Sequence, residues 1–202
     1  MQELMLDFET LGQNEDTIVI SLGACFFDLE KGVIGPTFYM AFDIEDQLKK
    51  GRTITADTLK WWFSQSDAAK KVFNEKAKPT EEVLKTFAAW VSGQNSISKI
   101  RPWGNGATFD ISIIEHLFRQ YGIKCPWLFY NVMDVRTFRR FIANNAKVEK
   151  KGINHNALDD AKSQAEFVIE HNNFYKEMIN AFAELAKQNQ AAFEVKDDNT
   201  KG

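Results

Sequence analysis

The 202 residues suffice for one compact domain, and a composition of 44% hydrophobic and 26% charged residues excludes wholesale disorder. The net charge of -3 excludes a protein that attracts nucleic acid by general basicity, so any affinity for phosphate has to come from a local basic patch or bound cations. The N-terminus lacks a signal-peptide pattern, and no apolar run approaches the ~20 residues of a membrane span. We therefore expect a soluble cytoplasmic protein in which Cys25 and Cys125 are reduced core residues.

Strand signals dominate the beginning of the chain. Residues 3–8 form a short apolar run, and residues 17–27 are rich in β-branched and aromatic side chains. A third run, residues 37–42, follows the turn signal KGVIGP. Because short turns join the three runs, we predict an antiparallel meander in which the first strand is able to lie centrally.

The later elements alternate between helix and strand. Hydrophobic spacing predicts helices over 55–73, 110–121, 135–143 and 157–187, and a further helix for which Thr80 is a candidate cap. Extended runs lie at 99–103 and 127–132. This order predicts an α/β domain around a mixed sheet. We take residues 1–190 as one domain and 191–202 as a polar tail that is expected to fray.

The first candidate for chemistry is the pair of acids in Asp7-Phe8-Glu9. On a strand, residues i and i+2 point to the same face, so the two carboxylates project together, about 7 Å apart along the strand. Buried like charges are costly unless a cation neutralises them. A hard divalent cation suits such oxygen ligands, but the pattern alone is equally compatible with turn or surface acids.

The second candidate is Asp110, which follows Asn105 and Phe109 in the stretch NGATFD and stands at the start of a predicted helix. It is either a first-turn acid that complements the helix dipole or a metal ligand that the loop presents.

The third candidate is the stretch HNALDDA, in which His155 precedes a helix whose first turns hold Asp159 and Asp160. Helical geometry allows either aspartate to be a ligand. An isolated histidine in this position is more often a cap or a surface residue.

Together the three stretches favour one kind of site. Four carboxylates can hold two Mg²⁺ or Mn²⁺ ions roughly 4 Å apart, an arrangement that promotes in-line displacement at phosphorus. The attacking water must lose a proton, and a histidine that is neutral near pH 7 suits that task.

With these motifs, DFET, NGATFD and HNALDDA, the chain resembles the DEDDh exonucleases, the DnaQ-like branch of the ribonuclease H-like fold, over residues 4–169. The resemblance implies a five-stranded mixed sheet flanked by helices and a 3′–5′ exonuclease. It implies Asp7, Glu9, Asp110 and Asp160 as metal ligands, because the family pattern H-x₄-D selects Asp160 over Asp159. It implies His155 as the general base.

A finer resemblance involves DTLKWWFSQS and NVMDVRTF, which are similar to the subgroup of the T-even phage exonuclease A and the mycobacterial RNase AS-type enzymes. That subgroup implies a stand-alone enzyme of phage or bacterial origin. We expect it to act in the bacterial or host cytoplasm on a single-stranded 3′ end of DNA or RNA. The subgroup includes enzymes for DNA and for RNA, and homodimers occur among related enzymes.

Several residues are candidates for substrate contact. Trp61 and Trp62 could stack on a base, although adjacent helical residues point about 100° apart and one of them should be core. Gln65 lies one turn away, and a basic strip between 135 and 153 includes Arg136 and Lys151. The resemblance places the turn of Thr10, Leu11 and Gly12 under the terminal nucleotide, with Leu11 against a base, and the prediction also includes three motif residues, Phe8, Asn105 and Phe109.

Two rival functions remain at this point. One is a catalytically inactive nucleic-acid-binding module that kept the fold, which the intact acids and histidine argue against. The other is a ribonuclease H-like endonuclease, which also uses clustered acids but would cut closed circles.

Overall fold

A five-stranded sheet forms the centre of the computed structural model, which describes residues 1–142, 146–153 and 155–198, with side chains up to 187. The strands are β1 (Glu3–Thr10), β2 (Val19–Asp28), β3 (Val33–Ala41), β4 (Arg101–Gly104) and β5 (Met133–Asp134). Their order is β3-β2-β1-β4-β5. The first three strands pair antiparallel, whereas β4 is parallel to β1 and β5 is parallel to β4. The mixed five-stranded sheet with a central first strand is confirmed.

Helices cover the sheet and its edge. They are α1 (Ile44–Lys49), α2 (Ala56–Phe63), α3 (Asp67–Lys70), α4 (Thr80–Gln94), α5 (Asp110–Gln120), α6 (Val135–Phe141) and α7 (Ala157–Asp198). Short 3₁₀ turns lie at Lys71–Asn74 and Phe129–Asn131.

The two faces of β1 belong to two different apolar cores, as the alternation of strand side chains requires. Leu4, Leu6 and Phe8 join the core beneath α4 and α5. Met5 belongs to the opposite core, where β2, β4 and the first half of α7 meet. Asp7 and Glu9 share the face of Met5, so the strand presents both acids towards the start of α7.

Three local predictions were wrong, and one helix was not predicted. The single helix expected over 55–73 breaks at Ser66, whose hydroxyl accepts from Ala69 N and begins α3. Thr80 is the first helical residue after Pro79, and its backbone N–H donates to Asp46 instead of its side chain acting as the cap. The strand expected over 127–132 contains a 3₁₀ turn at Phe129–Asn131 instead, and the strand β5 follows it at Met133–Asp134. The short helix α1 was not predicted.

Two helices end at other residues than predicted. Helix α6 ends at Phe141, and residue 143 of the predicted helix lies outside the described residues. Helix α7 continues eleven residues past the predicted end, to Asp198, and residues 199–202 of the predicted tail lie outside the described part.

Two further sequence expectations have structural counterparts. Cys25 is buried, Cys125 is partly buried, and both are free thiols, which agrees with reduced core residues. Among the helices that the structure describes, none combines the length and the apolar character needed to cross a membrane.

Candidate active site

Strand β1 delivers two carboxylates to the surface that faces α7. Asp7 pairs with Gly23 on β2, and Glu9 pairs with Ser21. Glu9 is buried, with 6% of its surface exposed, while Asp7 is partly exposed. Asp7 Oδ1 accepts a hydrogen bond of 2.7 Å from Gln164 Nε2 on α7. The alternation predicted from D-x-E therefore places both acids on one face.

A third carboxylate comes from the start of α5. Asp110 is the first residue of that helix and is 2% exposed. Backbone groups of Phe8 and Asn105 lie against its carboxyl group and lower its pKa, although burial raises it more. Asp134 fixes the preceding loop, because its carboxylate accepts from Ala107 N at 2.5 Å as well as capping α6. Asp134 therefore supports the loop that leads to Asp110.

The fourth carboxylate lies in the first turn of α7. The Asn156 side chain accepts from Leu158 N and Asp159 N, both at 3.1 Å, and so caps this helix. Asp160 is 6% exposed and turns towards Glu9, whereas Asp159 accepts from Ile153 N on the outer side. Of the two aspartates left open by helical geometry, the structure brings Asp160 into the cluster.

Close contact between α7 and the sheet makes this arrangement possible. A Cβ atom at Gly23 would lie 2.1 Å from the Ala157 carbonyl carbon and 2.2 Å from Leu158 N. No side chain fits between β2 and the first turn of the helix. The absent side chain of Gly23 thus lets the helix hold Asp160 directly over the β1 acids.

The resulting cluster is dense in carboxyl groups. One side-chain ligand atom each from Glu9, His155 and Asp160 lie within 4.8 Å of one another. Burial raises the pKa of Glu9 to about 8, and Asp160 adds to the effect while Lys150 opposes it. Burial also raises the pKa of Asp110 to about 7. The pKa of Asp7 lies well above its usual range because of burial and of Asp110, Glu9 and Asp160.

These residues fit divalent cations. They offer hard carboxylate oxygens and one imidazole, the donor types that Mg²⁺ and Mn²⁺ accept. Without a cation, burial raises the pKa values of Asp7, Glu9 and Asp110, and neighbouring carboxylates raise those of Asp7 and Glu9 further. A bound cation reverses that effect by favouring the charged carboxylates.

His155 stands in a constrained position beside the acids. Its φ of 63° makes it the only non-glycine residue of the described segments with a left-handed backbone, a conformation that histidine tolerates better than most residues. Its ring meets Trp61 edge to face, with 4.7 Å between centroids. Burial lowers the pKa of the imidazole, Lys150 lowers it further, and Asp160 raises it. The neutral form is therefore favoured.

A cleft of about 420 Å³ opens next to Glu9. Of the predicted contact residues, five line it, namely Phe8, Thr10, Gly12, Trp61 and Phe109. Trp61 is 40% exposed, whereas Trp62 is a core residue whose Nε1 donates to Thr10 O at 2.8 Å. The structure thus separates the two tryptophans: Trp61 faces the cleft and Trp62 supports the turn behind it.

Other predicted contacts lie elsewhere. Leu11 is 4% exposed and packs with Ile18, Ile20 and Trp62, so its side chain is not free to wedge against a base. Gln65 donates back to Trp61 O at 3.1 Å and does not line the cleft. Asn105 contacts the Asp110 carboxyl group through a backbone group of Asn105.

Some residues of the predicted basic strip lie near the carboxylate cluster, and others lie away from it. The Arg136 guanidinium packs against Gly106, and its charge lowers the pKa of Asp110. Lys151 instead pairs with Glu166 at 2.7 Å on the outer side of α7. Its neighbour Lys150 reaches the site and binds Asp160 Oδ2 at 3.0 Å. The sequence analysis singled out Lys151, whereas Lys150 is the lysine of this segment that contacts a site carboxylate.

Sequence reasoning also missed Gln164 and Gly23. The spacing of Gln164 from Asp160, four residues on one helix, was the available signal, since residues i and i+4 share a helix face. A glycine inside a predicted strand was the signal for Gly23, because such glycines often mark a close approach of two backbones.

Comparison with known proteins gives relatives in both sequence and structure. The family model of the 3'-5' exoribonuclease Rv2179c-like domain matches residues 2–172. The exodeoxyribonuclease of Enterobacteria phage T4 is 29% identical over 165 residues, which cover 68% of this chain and 70% of that protein.

Solved structures share the fold. The nuclease domain of 3'hExo, a DEDDh family member bound to rAMP, has a TM-score of 0.57 at 14% identity and covers 83% of this chain and 90% of its own. E. coli exonuclease I, in complex with a dT13 oligonucleotide, has a TM-score of 0.63 at 12% identity and covers 89% of this chain and 42% of its own. The ribonuclease H-like fold expected from the motifs is confirmed.

Proposed function

Since the chain belongs to the family of 3'-5' exoribonuclease Rv2179c-like domains and is a 3′–5′ exonuclease of the DEDDh type, we propose that it releases nucleoside 5′-monophosphates by two-metal hydrolysis. The observation that carries this proposal is the convergence of Glu9, His155 and Asp160 within 4.8 Å, beside two further carboxylates.

In this mechanism Asp7, Glu9, Asp110 and Asp160 hold two divalent cations, Mg²⁺ or Mn²⁺. The cations supply, when bound, the positive charge that in-line displacement at a phosphodiester requires. The protein supplies rigid placement. Glu9 and Asp7 stand on a central strand, and the close contact at Gly23 fixes the helix that carries Asp160.

His155 takes the proton of the attacking water. Its place beside Glu9 and Asp160 brings the ring to the reacting centre, and its lowered pKa favours the neutral form that accepts a proton. The edge-to-face contact with Trp61 limits rotation of the ring.

The substrate is the single-stranded 3′ end of DNA or RNA. The cleft next to Glu9 is lined by aromatic side chains on which a base can stack, Trp61 foremost because it is exposed. The family description names an exoribonuclease and the phage relative is an exodeoxyribonuclease, so both sugars belong in the test. Arg136 and Lys150 are the nearby cations for phosphate contact.

The test compares matched 5′-labelled and 3′-labelled DNA and RNA strands, single-stranded and duplex, with closed circular strands, in Mg²⁺ or Mn²⁺. We expect 3′-labelled strands to release labelled mononucleotides at once and 5′-labelled strands to shorten stepwise. His155→Ala should lower the rate by roughly 10²- to 10⁴-fold, the usual contribution of a general base. His116→Ala is the control, because His116 contacts Arg52 away from the cluster.

Two outcomes would contradict the proposal. Absence of mononucleotides under all conditions would favour the inactive binding module. Cleavage of closed circles would favour an endonuclease, since an exonuclease requires a free end. Near-normal activity of His155→Ala would remove the base from its assigned role without affecting the assignment of exonuclease activity.

We also propose a homodimer that forms through the distal part of α7. The side chains at Tyr175, Met178, Phe182 and Leu185 follow a three-four spacing and are exposed, Phe182 by 63%. Val168 lies seven residues before Tyr175 in the same register and packs on the sheet, so this face of the helix leaves the core before it becomes exposed. Two copies of such a face bury each other in the manner of a coiled coil.

Phe182→Glu should convert this dimer to a monomer. Light scattering coupled to gel filtration measures the mass, and Asn180→Glu, on the opposite side of the helix, should leave it unchanged. A wild-type protein that is monomeric at all concentrations would refute the dimer.

A further inference from the structure

One buried amide in the site has no role in the proposed chemistry. Gln164 is 4% exposed and lies four residues after Asp160, so both side chains leave the same face of α7 towards the sheet. Its Nε2 donates to Asp7 Oδ1 at 2.7 Å. Its Oε1 is buried and finds no hydrogen-bond partner among the described residues.

This half-satisfied amide is costly to the fold. A buried carbonyl oxygen without a partner loses its hydration, whereas an apolar side chain of the same shape would not. Its contact with Asp7 offers a reason why a glutamine is found at this position despite the cost in stability. Gln164 binds one Asp7 oxygen, and the other has no hydrogen-bond partner in the described residues.

We propose that Gln164 is a positioning residue for Asp7. Its amide N–H holds Asp7 Oδ1 and so orients the carboxylate with Oδ2 towards the cation, while the free Oε1 accepts a hydrogen bond from a water in the site. The inference rests on the proposed function, because it assigns Asp7 to a cation. Groups that orient metal ligands typically change metal affinity 10- to 100-fold when they are removed.

The test uses Gln164→Met, which keeps the length of the side chain and removes both polar atoms. Gln47→Met is the matched control. Gln47 is also a fully buried glutamine, but its amide is satisfied on both sides, donating to Val19 O at 2.7 Å and accepting from Val19 N at 2.9 Å. It does not line the cleft.

Mn²⁺ binding is measured by the electron paramagnetic resonance signal of the free ion, and thermal unfolding is measured in EDTA. For Gln164→Met we expect Mn²⁺ affinity to fall about 10- to 100-fold, whatever the change in Tm in EDTA, because Asp7 loses its hydrogen bond as well as Gln164. For Gln47→Met we expect a lower Tm with unchanged Mn²⁺ affinity. With oligonucleotide substrate, Gln164→Met should lose kcat at fixed Mn²⁺ and retain KM.

The results separate the two levels of the proposal. If Gln164→Met lowers Tm and leaves Mn²⁺ affinity unchanged, the residue is merely structural and the inference is wrong, although the proposed function survives. If the wild-type protein binds no Mn²⁺ and releases no nucleotide, the proposed function itself fails.

Discussion

Replacing Glu9 by glutamine should abolish nuclease activity and at the same time stabilise the protein in EDTA at pH 8. The loss of activity is expected to be roughly a thousandfold or more, the upper range for removal of one charged group from a preorganised site. The stability should rise because, without a cation, the charged form of Glu9 is buried beside other carboxylates, and glutamine carries no charge.

The direction of the pH dependence follows from the pKa of Glu9, which burial raises to about 8 from a usual value near 4.5. The folded state therefore binds the proton more tightly than the unfolded state. The contribution of Glu9 protonation to the stability of the fold is fully present below pH ~4.5 and is lost as the pH rises through 8. Each unit of such a shift corresponds to about 1.4 kcal/mol.

We thus expect Tm of the wild-type protein in EDTA to fall between pH 5 and pH 8, and the fall to be smaller in Glu9→Gln. Mn²⁺ should remove most of this pH dependence in the wild type, because a cation neutralises the cluster. Glu82→Gln, a change at an exposed helix position paired with Lys78, is the control and should follow the wild type. Equal slopes for wild type and Glu9→Gln would show that Glu9 is already charged in the metal-free fold.

The sequence predicted the parts of this site that depend on local geometry. The two-residue period of a strand was enough to place Asp7 and Glu9 on one face, and short turns implied the antiparallel meander. Motif order and spacing indicated Asp110 and His155, but helical geometry left Asp159 and Asp160 open. The structure separates them by bringing Asp160 within 4.8 Å of Glu9, which lies on a distant part of the chain.

The features that escaped prediction depend on contacts across the fold. Trp61 and Trp62 are adjacent in the same sequence context. Only the packing shows that Trp62 donates a hydrogen bond to Thr10 O while Trp61 faces the cleft. Lys150 and Lys151 are equivalent in sequence. In the fold, Lys151 N donates to Ser163 Oγ at 3.0 Å, while the side chain of Lys150 binds Asp160.

Gly23→Ala should disrupt the site without touching a catalytic side chain. The added methyl group would lie 2.1 Å from the carbonyl carbon of Ala157, and backbone atoms in a helix cannot rotate away. The first turn of α7 must therefore move from β2, and Asp160 and His155 move with it. A displacement of about 1 Å at reacting groups costs on the order of 10²-fold in rate.

We expect Gly23→Ala to lose about 100-fold in nuclease activity, to bind Mn²⁺ more weakly and to unfold at a lower temperature, with overpacking costing about 1–3 kcal/mol. Gly93→Ala is the control, since a Cβ there has no heavy atom within 4 Å and alanine favours the helix by up to about 1 kcal/mol. Near-ultraviolet circular dichroism would establish that Gly23→Ala still folds. A folded Gly23→Ala with wild-type activity would mean that the helix can shift without moving Asp160, and that the close contact does not position the site.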